Sequence, residues 1–307
     1  LFRSVPVGLP AMFTISMARG SKELAKDGLL VTKLSATEDA ATLTALCIDK
    51  TGTITKNELT LQETVGVGAF SKDDVLRYGA MASVKANEDA IDMAFISEAE
   101  KQISIATPYK QVKFIPFNAA VKHTEAVIET EGKNLSVAKG AYTAIKNLCG
   151  LAIYELDDKV NEWAHKGFKT IAVAVAEENE PYVFVGIAAL YDPPRPDAYE
   201  MLTRIKAMGI DIKMLTGDAL PIGKEIATQA GIGSNIISIS DVRPQFESGA
   251  GCKSIHSHNG FAEVLPEDKF NIVKTLQQEH QIVGMTGDGV NDAPALKQAE
   301  VGIAVKN

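Results

Sequence analysis

The sequence predicts an α/β protein in which a Rossmann-like domain with a parallel sheet is interrupted by an inserted α+β domain with an antiparallel sheet. Three short apolar runs end at polar, glycine-containing loops, and their last residues are Ile48, Leu215 and Met285. Helical segments separate these runs, and this alternation is typical of a parallel sheet. Between about residues 63 and 190 the apolar runs favour hairpin pairing instead.

The helices and the last strand of the parallel-sheet domain each have a local signal. Apolar side chains at helical spacing predict helices over 197–208, 221–230 and 266–280. The first two stop before a glycine, and the third has Pro266 near its start. A final apolar run, 301–305, predicts a further strand.

The inserted domain is predicted from short apolar runs that suit antiparallel pairing. They indicate strands over 112–115, 126–128, 135–138, 171–174 and 182–188. The run Asp192-Pro193-Pro194-Arg195 then marks the return to the parallel-sheet domain. No internal repeat is evident.

The composition places the chain among soluble globular proteins, since 46% of its 307 residues are hydrophobic and its mean hydropathy is +0.02. A net charge of −8 argues against general nucleic-acid binding, which depends on clustered lysine and arginine. An anionic ligand would therefore need Mg²⁺ and locally placed lysines. The three cysteines lie far apart and form no CxxC pair, so neither a disulfide framework nor a zinc site is expected.

The first 17 residues depart from this picture, because they are largely apolar with Arg3 as the only charge. The segment is too short to span a bilayer and lacks the pattern of a signal peptide. We expect it to be the tail of a longer hydrophobic helix; the alternative is a buried segment of a soluble protein.

The run Cys47-Ile48-Asp49-Lys50-Thr51-Gly52-Thr53 places a carboxylate at a strand end, before a small, hydroxyl-bearing turn. Such a carboxylate can attack a phosphoryl group in line, while backbone N–H groups and the hydroxyls of Thr51 and Thr53 hold its oxygens. A structural turn would also use Asp, Gly and Thr.

Two further loops follow the other predicted strands. The first is Thr216-Gly217-Asp218, and the second runs from Thr286 through Asp288 and Asn291 to Asp292. Clustered carboxylates suit a hard, oxygen-seeking cation, so Mg²⁺ is the expected metal. An Asx-rich structural turn is the alternative.

The complete DKTGT run at 49–53 and the GDGVNDAPAL run at 287–296 resemble the P-type ATPases, which are haloacid-dehalogenase-like hydrolases. The resemblance implies that Asp49 takes the terminal phosphate of ATP, and that Asp49, the main-chain carbonyl of Thr51 and Asp288 bind Mg²⁺. It implies supporting roles around the phosphate and nucleotide for Thr216, Gly217, Asp218, Asn291 and Asp292. Lys269 matches the lysine that neutralises the transferring phosphoryl group.

The inserted domain carries residues in the order of this family's nucleotide pocket: Asp92, Phe117, Lys122, Lys139, Gly140 and Lys169. An aromatic ring such as Phe117 can stack on adenine, and lysines supply charge for the phosphates. Lys169 stands where relatives often have arginine, so bidentate phosphate contact is lost there. Asp192 and Arg195 are expected to lock the connection or to contact nucleotide.

The resemblance predicts the domain organisation. Residues 1–36 are expected to be the end of a transmembrane helix and a stalk, 37–62 and 191–307 the phosphorylation domain, and 63–190 the nucleotide-binding domain. The whole protein would be a cell-membrane pump with this portion facing the cytoplasm, acting with membrane helices and an actuator domain that this chain lacks.

Proton export is the favoured transport activity, because the runs at 33–36, 260–264 and 282–285 resemble those of plasma-membrane proton pumps. Val7 stands where calcium pumps have an acidic residue, and no Cys-Pro-Cys motif is present. A pump for another cation, a soluble phosphatase of the same superfamily and a non-catalytic nucleotide-binding module remain alternatives. Thr51 occupies the position of the second aspartate that serves as acid and base in such phosphatases.

Overall fold

A computed structural model describes residues 8–102, 109–118, 120–130, 132–150, 155–247, 254–287 and 292–305. Two of the predicted site residues, Asp288 and Asn291, and the first seven residues of the apolar segment lie outside these ranges. Within them, no helix has both the length and the apolar character needed to cross a bilayer.

Twelve α-helices are assigned in the described residues: α1 (Gly8–Lys26), α2 (Ser35–Ala41), α3 (Lys72–Met81), α4 (Ala90–Gln102), α5 (Tyr142–Leu148), α6 (Asp157–His165), α7 (Ala198–Ala207), α8 (Leu220–Gln229), α9 (Arg243–Glu247), α10 (Ser254–Ser257), α11 (Pro266–Gln278) and α12 (Ala293–Gln298). The three helices predicted after the inserted domain correspond to α7, α8 and α11.

Twelve strands are assigned in the same ranges: β1 (Ala45–Asp49), β2 (Thr60–Gly66), β3 (Tyr109–Asn118), β4 (His123–Thr130), β5 (Lys133–Ala141), β6 (Lys169–Glu177), β7 (Val183–Tyr191), β8 (Asp211–Leu215), β9 (Ile236–Ser238), β10 (Gly260–Ala262), β11 (Val283–Gly287) and β12 (Val301–Ala304). All nine predicted strands are present. The strands β2, β9 and β10 were not predicted.

The chain forms two compact units. The first comprises Leu1–Ile54, Pro196–Leu220 and Ala227–Asn307, and the second comprises Thr55–Arg195 and Pro221–Ile226. The second unit begins as early as Thr55 because β2 pairs with β7.

The first unit contains a six-stranded parallel sheet in the order β12-β11-β1-β8-β10-β9. The strand β1 lies in the middle, with Asp49 opposite Leu215 on β8 and Ile48 opposite Thr286 on β11. Since the strands are parallel, the loops that follow β1, β8 and β11 meet at one edge of the sheet. The predicted α/β fold with a parallel sheet is confirmed.

Both faces of the central strand of this sheet are apolar, as a doubly covered parallel sheet requires. All five residues of β1 are buried, and Cys47 packs in a core with Leu215, Phe261 and Met285. Burial raises the pKa of the Cys47 thiol to about 12, so this cysteine is an inert core residue. The core fixes the strand whose end carries Asp49.

The second unit contains a six-stranded antiparallel sheet in the order β2-β7-β6-β5-β4-β3. One face packs on α3 and α4 through Leu76 and Phe95, and the other packs on α5 and α6 through Ile145 and Trp163. The sheet therefore lies between two pairs of helices, each with its own apolar core. The predicted insertion of an antiparallel α+β unit is likewise confirmed.

Candidate phosphoryl-transfer site

The carboxylate of Asp49 stands at the carboxyl end of the central strand β1 and is largely buried, with 7% of the residue exposed. The turn that follows it contains Gly52 in a left-handed conformation, with φ of 70°. A side chain would strain the backbone in this conformation, which explains why the run has glycine at position 52. Thr51 and Thr53 lie on either side of it and are partly buried.

Lys269 is the direct partner of Asp49, since its Nζ atom lies 3.0 Å from Oδ1 of Asp49 and 2.6 Å from Oδ1 of Asp292. All three side chains are at least nine-tenths buried. Burial opposes the charge on Lys269, but the carboxylates of Asp49 and Asp292 prevail and raise its pKa above the ordinary value of 10.5. The lysine therefore stays cationic beside the predicted nucleophile.

Asp268 anchors the start of α11, the helix that presents Lys269. Only 1% of Asp268 is exposed, and its carboxylate accepts the Leu265 N–H at 2.9 Å. Both oxygens also accept hydrogen bonds from Arg243, at 2.9 and 2.8 Å. This bidentate pair fixes the first turn of α11, and sequence reasoning missed it because Arg243 comes from a short helix with no motif.

Lys50 also reaches a predicted site residue, because its Nζ atom lies 2.7 Å from Oδ2 of Asp218. Thr216, which is 1% exposed, accepts the Asp218 N–H through its hydroxyl at 3.1 Å. The Thr216-Gly217-Asp218 loop is thereby tied to the DKTGT run. We did not predict Lys50 as a site residue, although it is the second residue of that run.

The oxygen-only donor set at this sheet edge fits Mg²⁺, a hard cation that prefers oxygen ligands. Asp49 and Thr51 are in place, and Thr286, directly before Gly287, has a buried hydroxyl with no hydrogen-bond partner within the described ranges. Asp288, the other expected ligand, lies outside them. No group of three or more His, Cys, Asp or Glu side chains suited to a metal occurs within the described part of the chain.

Asp292 packs tightly against Gly287, the last residue of β11. A β-carbon added at Gly287 would lie 2.3 Å from Oδ2 of Asp292, so only glycine leaves room for this carboxylate beside β11. The structure thus brings together Asp49, Lys269 and Asp292 as one buried group, and Thr216 and Asp218 as a loop tied to Lys50.

Four of the predicted nucleotide-pocket residues gather at a single edge of the antiparallel sheet. Phe117 is near the end of β3, Lys122 precedes β4, Gly140 is near the end of β5 and Lys169 begins β6. In antiparallel neighbours, the end of one strand lies beside the start of the next. Phe117 is 60% exposed, so its ring is accessible to a ligand.

The backbone of Lys122, in the turn between β3 and β4, has an uncommon conformation. Lys122 has a left-handed backbone with φ of 58°, its N–H donates to the Asn118 carbonyl at 2.7 Å, and its carbonyl accepts the Ala141 N–H at 3.0 Å. A β-carbon at Gly140 would lie 2.4 Å from the Lys122 carbonyl oxygen. The close approach of the two strands therefore requires glycine at position 140.

Lys139 and Asp92 differ from these edge residues because they form a buried ion pair. Lys139 is 3% exposed, its Nζ atom lies 2.6 Å from Oδ1 of Asp92, and it also donates to the Ser83 hydroxyl. The other Asp92 oxygen accepts the Val84 N–H at 2.9 Å. Burial lowers the pKa of Lys139, and the contact with Asp92 opposes that effect.

Asp192 joins the two segments by which the chain enters and leaves the second unit. The Thr55 hydroxyl donates to Oδ2 of Asp192 at 2.6 Å, and both residues are buried. Thr55 also forms an antiparallel bridge with Pro194. Arg195 is exposed. These contacts join the two connecting segments to each other.

Comparison with known proteins gives a family match over most of the chain. The family model described as hydrolase, haloacid dehalogenase-like hydrolase, matches residues 43–300. Over 99% of its length, the chain is 45% identical to a protein of Methanocaldococcus jannaschii that carries the name cation-transporting ATPase. It is 38% identical to the plasma membrane ATPases of Dunaliella bioculata and Neurospora crassa, over 99% and 98% of its length. The chain spans 39%, 29% and 35% of these three relatives, respectively.

Solved structures give a similar result. A crystal structure of a zinc-transporting PIB-type ATPase shares 25% identity and a TM-score of 0.59, covering 94% of this chain and 40% of that one. A second crystal structure of a zinc-transporting PIB-type ATPase, in a different state, matches at 24% identity with a TM-score of 0.58, which supports the fold.

Proposed function

Since this chain belongs to the haloacid dehalogenase-like hydrolases and, within them, to the P-type ATPases, we propose that it is the ATP-hydrolysing core of a cation pump phosphorylated on Asp49. One observation carries the proposal: the cationic Lys269 contacts Asp49 at the end of the central strand. A surface turn with the same letters would not need a buried lysine against its carboxylate.

In the proposed reaction, a carboxylate oxygen of Asp49 attacks the γ-phosphorus of ATP as the bond to the ADP oxygen breaks on the opposite side. Lys269 neutralises charge on the phosphoryl oxygens. The hydroxyls of Thr53 and Thr216 and the backbone N–H groups of the turn would hold those oxygens. Bound Mg²⁺, held by Asp49, the Thr51 carbonyl and Asp288, would supply further neutralisation of the phosphate charge.

The aspartyl phosphate is proposed to persist because Thr51 offers no base to activate water. A soluble phosphatase of the same superfamily would need such a group two residues after its nucleophile. This difference favours a pump, in which a lasting intermediate drives a conformational change. A non-catalytic binding module is disfavoured because it would have no use for the buried Asp49 and Lys269 contact.

The second unit would recognise the nucleotide at the sheet edge that carries Phe117, Lys122, Gly140 and Lys169. The exposed Phe117 ring suits adenine stacking. The left-handed backbone of Lys122 is the kind of strain found at ligand sites. Lys139 and Asp92 would support this site from beneath as a buried ion pair, since each neutralises the other's charge.

Proton export from the cell is the proposed transport activity. The support comes from the two plasma membrane ATPases among the relatives and from Val7, an apolar residue that cannot coordinate a divalent cation. Export of another cation is the second candidate, because a solved relative is described as zinc-transporting. The membrane helices and the actuator domain would be contributed by the rest of the protein, with this portion facing the cytoplasm.

Phosphorylation of Asp49 is tested with γ-labelled ATP and Mg²⁺ in the complete protein. We expect an acid-stable, hydroxylamine-labile bond that is absent from Asp49→Asn. Asp39→Asn, a change of an aspartate on α2 outside the site, is the matched control and should label normally. Label that persists in Asp49→Asn would show that another residue is the nucleophile.

A further inference from the structure

Glu263 has an unusual backbone for its residue type. It follows β10 directly and has φ of 60°, in the left-handed region. For a residue other than glycine, this region is about 5- to 30-fold less populated than for glycine. Glu263 is also exposed, so packing of its side chain in the core does not explain the conformation.

The left-handed turn directs two consecutive N–H groups at the Thr216-Gly217-Asp218 loop. The Glu263 N–H donates to the Asp218 carbonyl at 3.0 Å, and the Val264 N–H donates to the Thr216 carbonyl at 3.0 Å. In a continuing strand, successive N–H groups would point to opposite sides. The conformation at Glu263 therefore determines how both ends of this loop are held.

The Glu263 side chain is tied to the neighbouring strand. Its carboxylate accepts a hydrogen bond from the hydroxyl of Ser238, the last residue of β9. The Oγ atom of Ser238 also lies 2.9 Å from the Oγ atom of Ser240. Ser238 is largely buried. A charge-assisted bond to a fixed hydroxyl offsets the unfavourable backbone conformation.

The same turn leads into the helix that carries Lys269. Val264 is buried in the core of the first unit, and the Leu265 N–H is bonded to Asp268 in the first turn of α11. A shift at Glu263 would thus move both the loop whose Asp218 contacts Lys50 and the helix whose Lys269 contacts Asp49.

We propose that Glu263 is a positioning residue for phosphoryl transfer: through its bond to Ser238 it keeps a left-handed turn that sets the Thr216–Asp218 loop against the phosphate-accepting edge. The inference rests on the proposed function, because it assumes that this loop holds the phosphoryl group. Glu263 does not itself touch the reacting atoms.

The test compares Glu263→Ala with Glu263→Gly in the complete protein, since both lose the carboxylate and only alanine is strained at this φ. At saturating ATP, we expect Glu263→Ala to form the Asp49 phosphoenzyme about tenfold more slowly, whereas Glu263→Gly recovers most of the rate. Nucleotide affinity should be unchanged in both. Amide hydrogen exchange over 216–218 should increase in Glu263→Ala and remain near the wild-type rate in Glu263→Gly.

Glu88 provides the matched control, because it is another exposed glutamate with a left-handed backbone, φ of 51°, and it lies in the second unit. Its alanine and glycine variants should differ in thermal stability and not in phosphorylation rate. Ser238→Ala should slow phosphorylation in the same direction as Glu263→Ala.

Equal rates for the alanine and glycine variants of Glu263 would overturn the inference, whether both match the wild type or both are slow. In the first case the turn would not matter, and in the second the carboxylate itself would act. If the wild-type protein formed no phosphoenzyme, the proposed function would be wrong. The hydrogen-exchange comparison would still show whether Glu263 holds the loop.

Discussion

The Nζ atom of Lys269 lies 3.0 Å from Oδ1 of Asp49, although the two residues belong to the last and the first of the three segments that form the first unit. The pair is buried, and the lysine is held cationic by the carboxylates around it. This relationship places a fixed positive charge beside the group that we propose to be phosphorylated.

Replacing Lys269 should remove that charge from the transition state. We expect Lys269→Met to slow phosphoenzyme formation by about 10²–10³-fold, the usual effect of losing a preorganised electrostatic partner. Lys269→Arg should be less impaired because it keeps the charge. Single-turnover labelling at saturating ATP measures both. A Lys269→Met rate within a few-fold of wild type would contradict the assigned role.

The same lysine predicts a pH dependence of stability. Because its pKa is raised above 10.5 in the folded protein, its stabilising contribution is fully present below pH 10.5 and is lost as the pH rises through the folded-state pKa. The difference in unfolding free energy between wild type and Lys269→Met should therefore fall as the pH rises from 10.5 through the folded-state pKa of Lys269. Denaturant titrations from about pH 10 upward test it, and a difference that stays constant or rises there would mean that the two carboxylates do not raise the pKa of Lys269.

Nucleotide recognition and chemistry should be separable by mutation. Phe117→Ala is expected to weaken nucleotide binding by roughly 1–3 kcal/mol, the scale of a lost aromatic contact, without unfolding the protein, since the ring is largely exposed. Asp288→Ala should spare adenosine binding and abolish phosphoryl transfer. Isothermal titration and labelling measure the two effects.

Val112→Ala is the control for Phe117, because Val112 is a 55% exposed apolar residue on the same strand, β3. It should bind nucleotide like the wild type. If Asp288→Ala lost adenosine affinity while Phe117→Ala kept it, the assignment of the two functions to separate units would be wrong.

Thr51 should control the lifetime of the phosphoenzyme. Help from a placed base is typically worth about 10²–10⁴-fold in rate, so Thr51→Asp is expected to lose its label faster than wild type in a chase with unlabelled ATP at matched Mg²⁺. Thr51→Asn, which has similar size and no basic carboxylate, is the control for crowding at the metal. Equal decay in the Asp and Asn variants would show that residue 51 does not decide between pump and phosphatase chemistry.

The buried pair of Lys139 and Asp92 should behave as a unit. Lys139→Met leaves Asp92 buried without its charge partner, which typically destabilises a fold by about 3–5 kcal/mol. The double variant with Asp92→Asn should recover much of that loss. Denaturant unfolding of the two single variants and the double variant completes a mutant cycle.

An exposed pair in the same unit, Lys85 and Glu100 at 3.8 Å, provides the comparison. Lys85→Met should leave the unfolding free energy unchanged within error, because exposed ion pairs contribute little. If the Lys139→Met variant were as stable as the Lys85→Met variant, the buried ion pair would not contribute to the stability of the fold.

The sequence determined the parts of this protein whose signals are local. The strand that ends at Asp49, the two later strand ends, the helices that stop before glycine and the five strands of the inserted unit could all be predicted, because apolar periodicity and breaker residues act over a few positions. The DKTGT and GDGVNDAPAL runs likewise indicated phosphoryl-transfer chemistry. The strands β9 and β10, each three residues long, and β2 carried too little pattern to be recognised.

Tertiary structure decided which of those side chains meet. The order of the parallel strands brings Lys50 to Asp218, and the position of α11 brings Lys269 to Asp49. Packing of the second unit buries Lys139 against Asp92. The carboxylate of Glu263 likewise accepts a hydrogen bond from Ser238, a residue of another strand. Such pairings depend on register and on which charges lose contact with water, and both are properties of the packed chain that no short run of sequence contains.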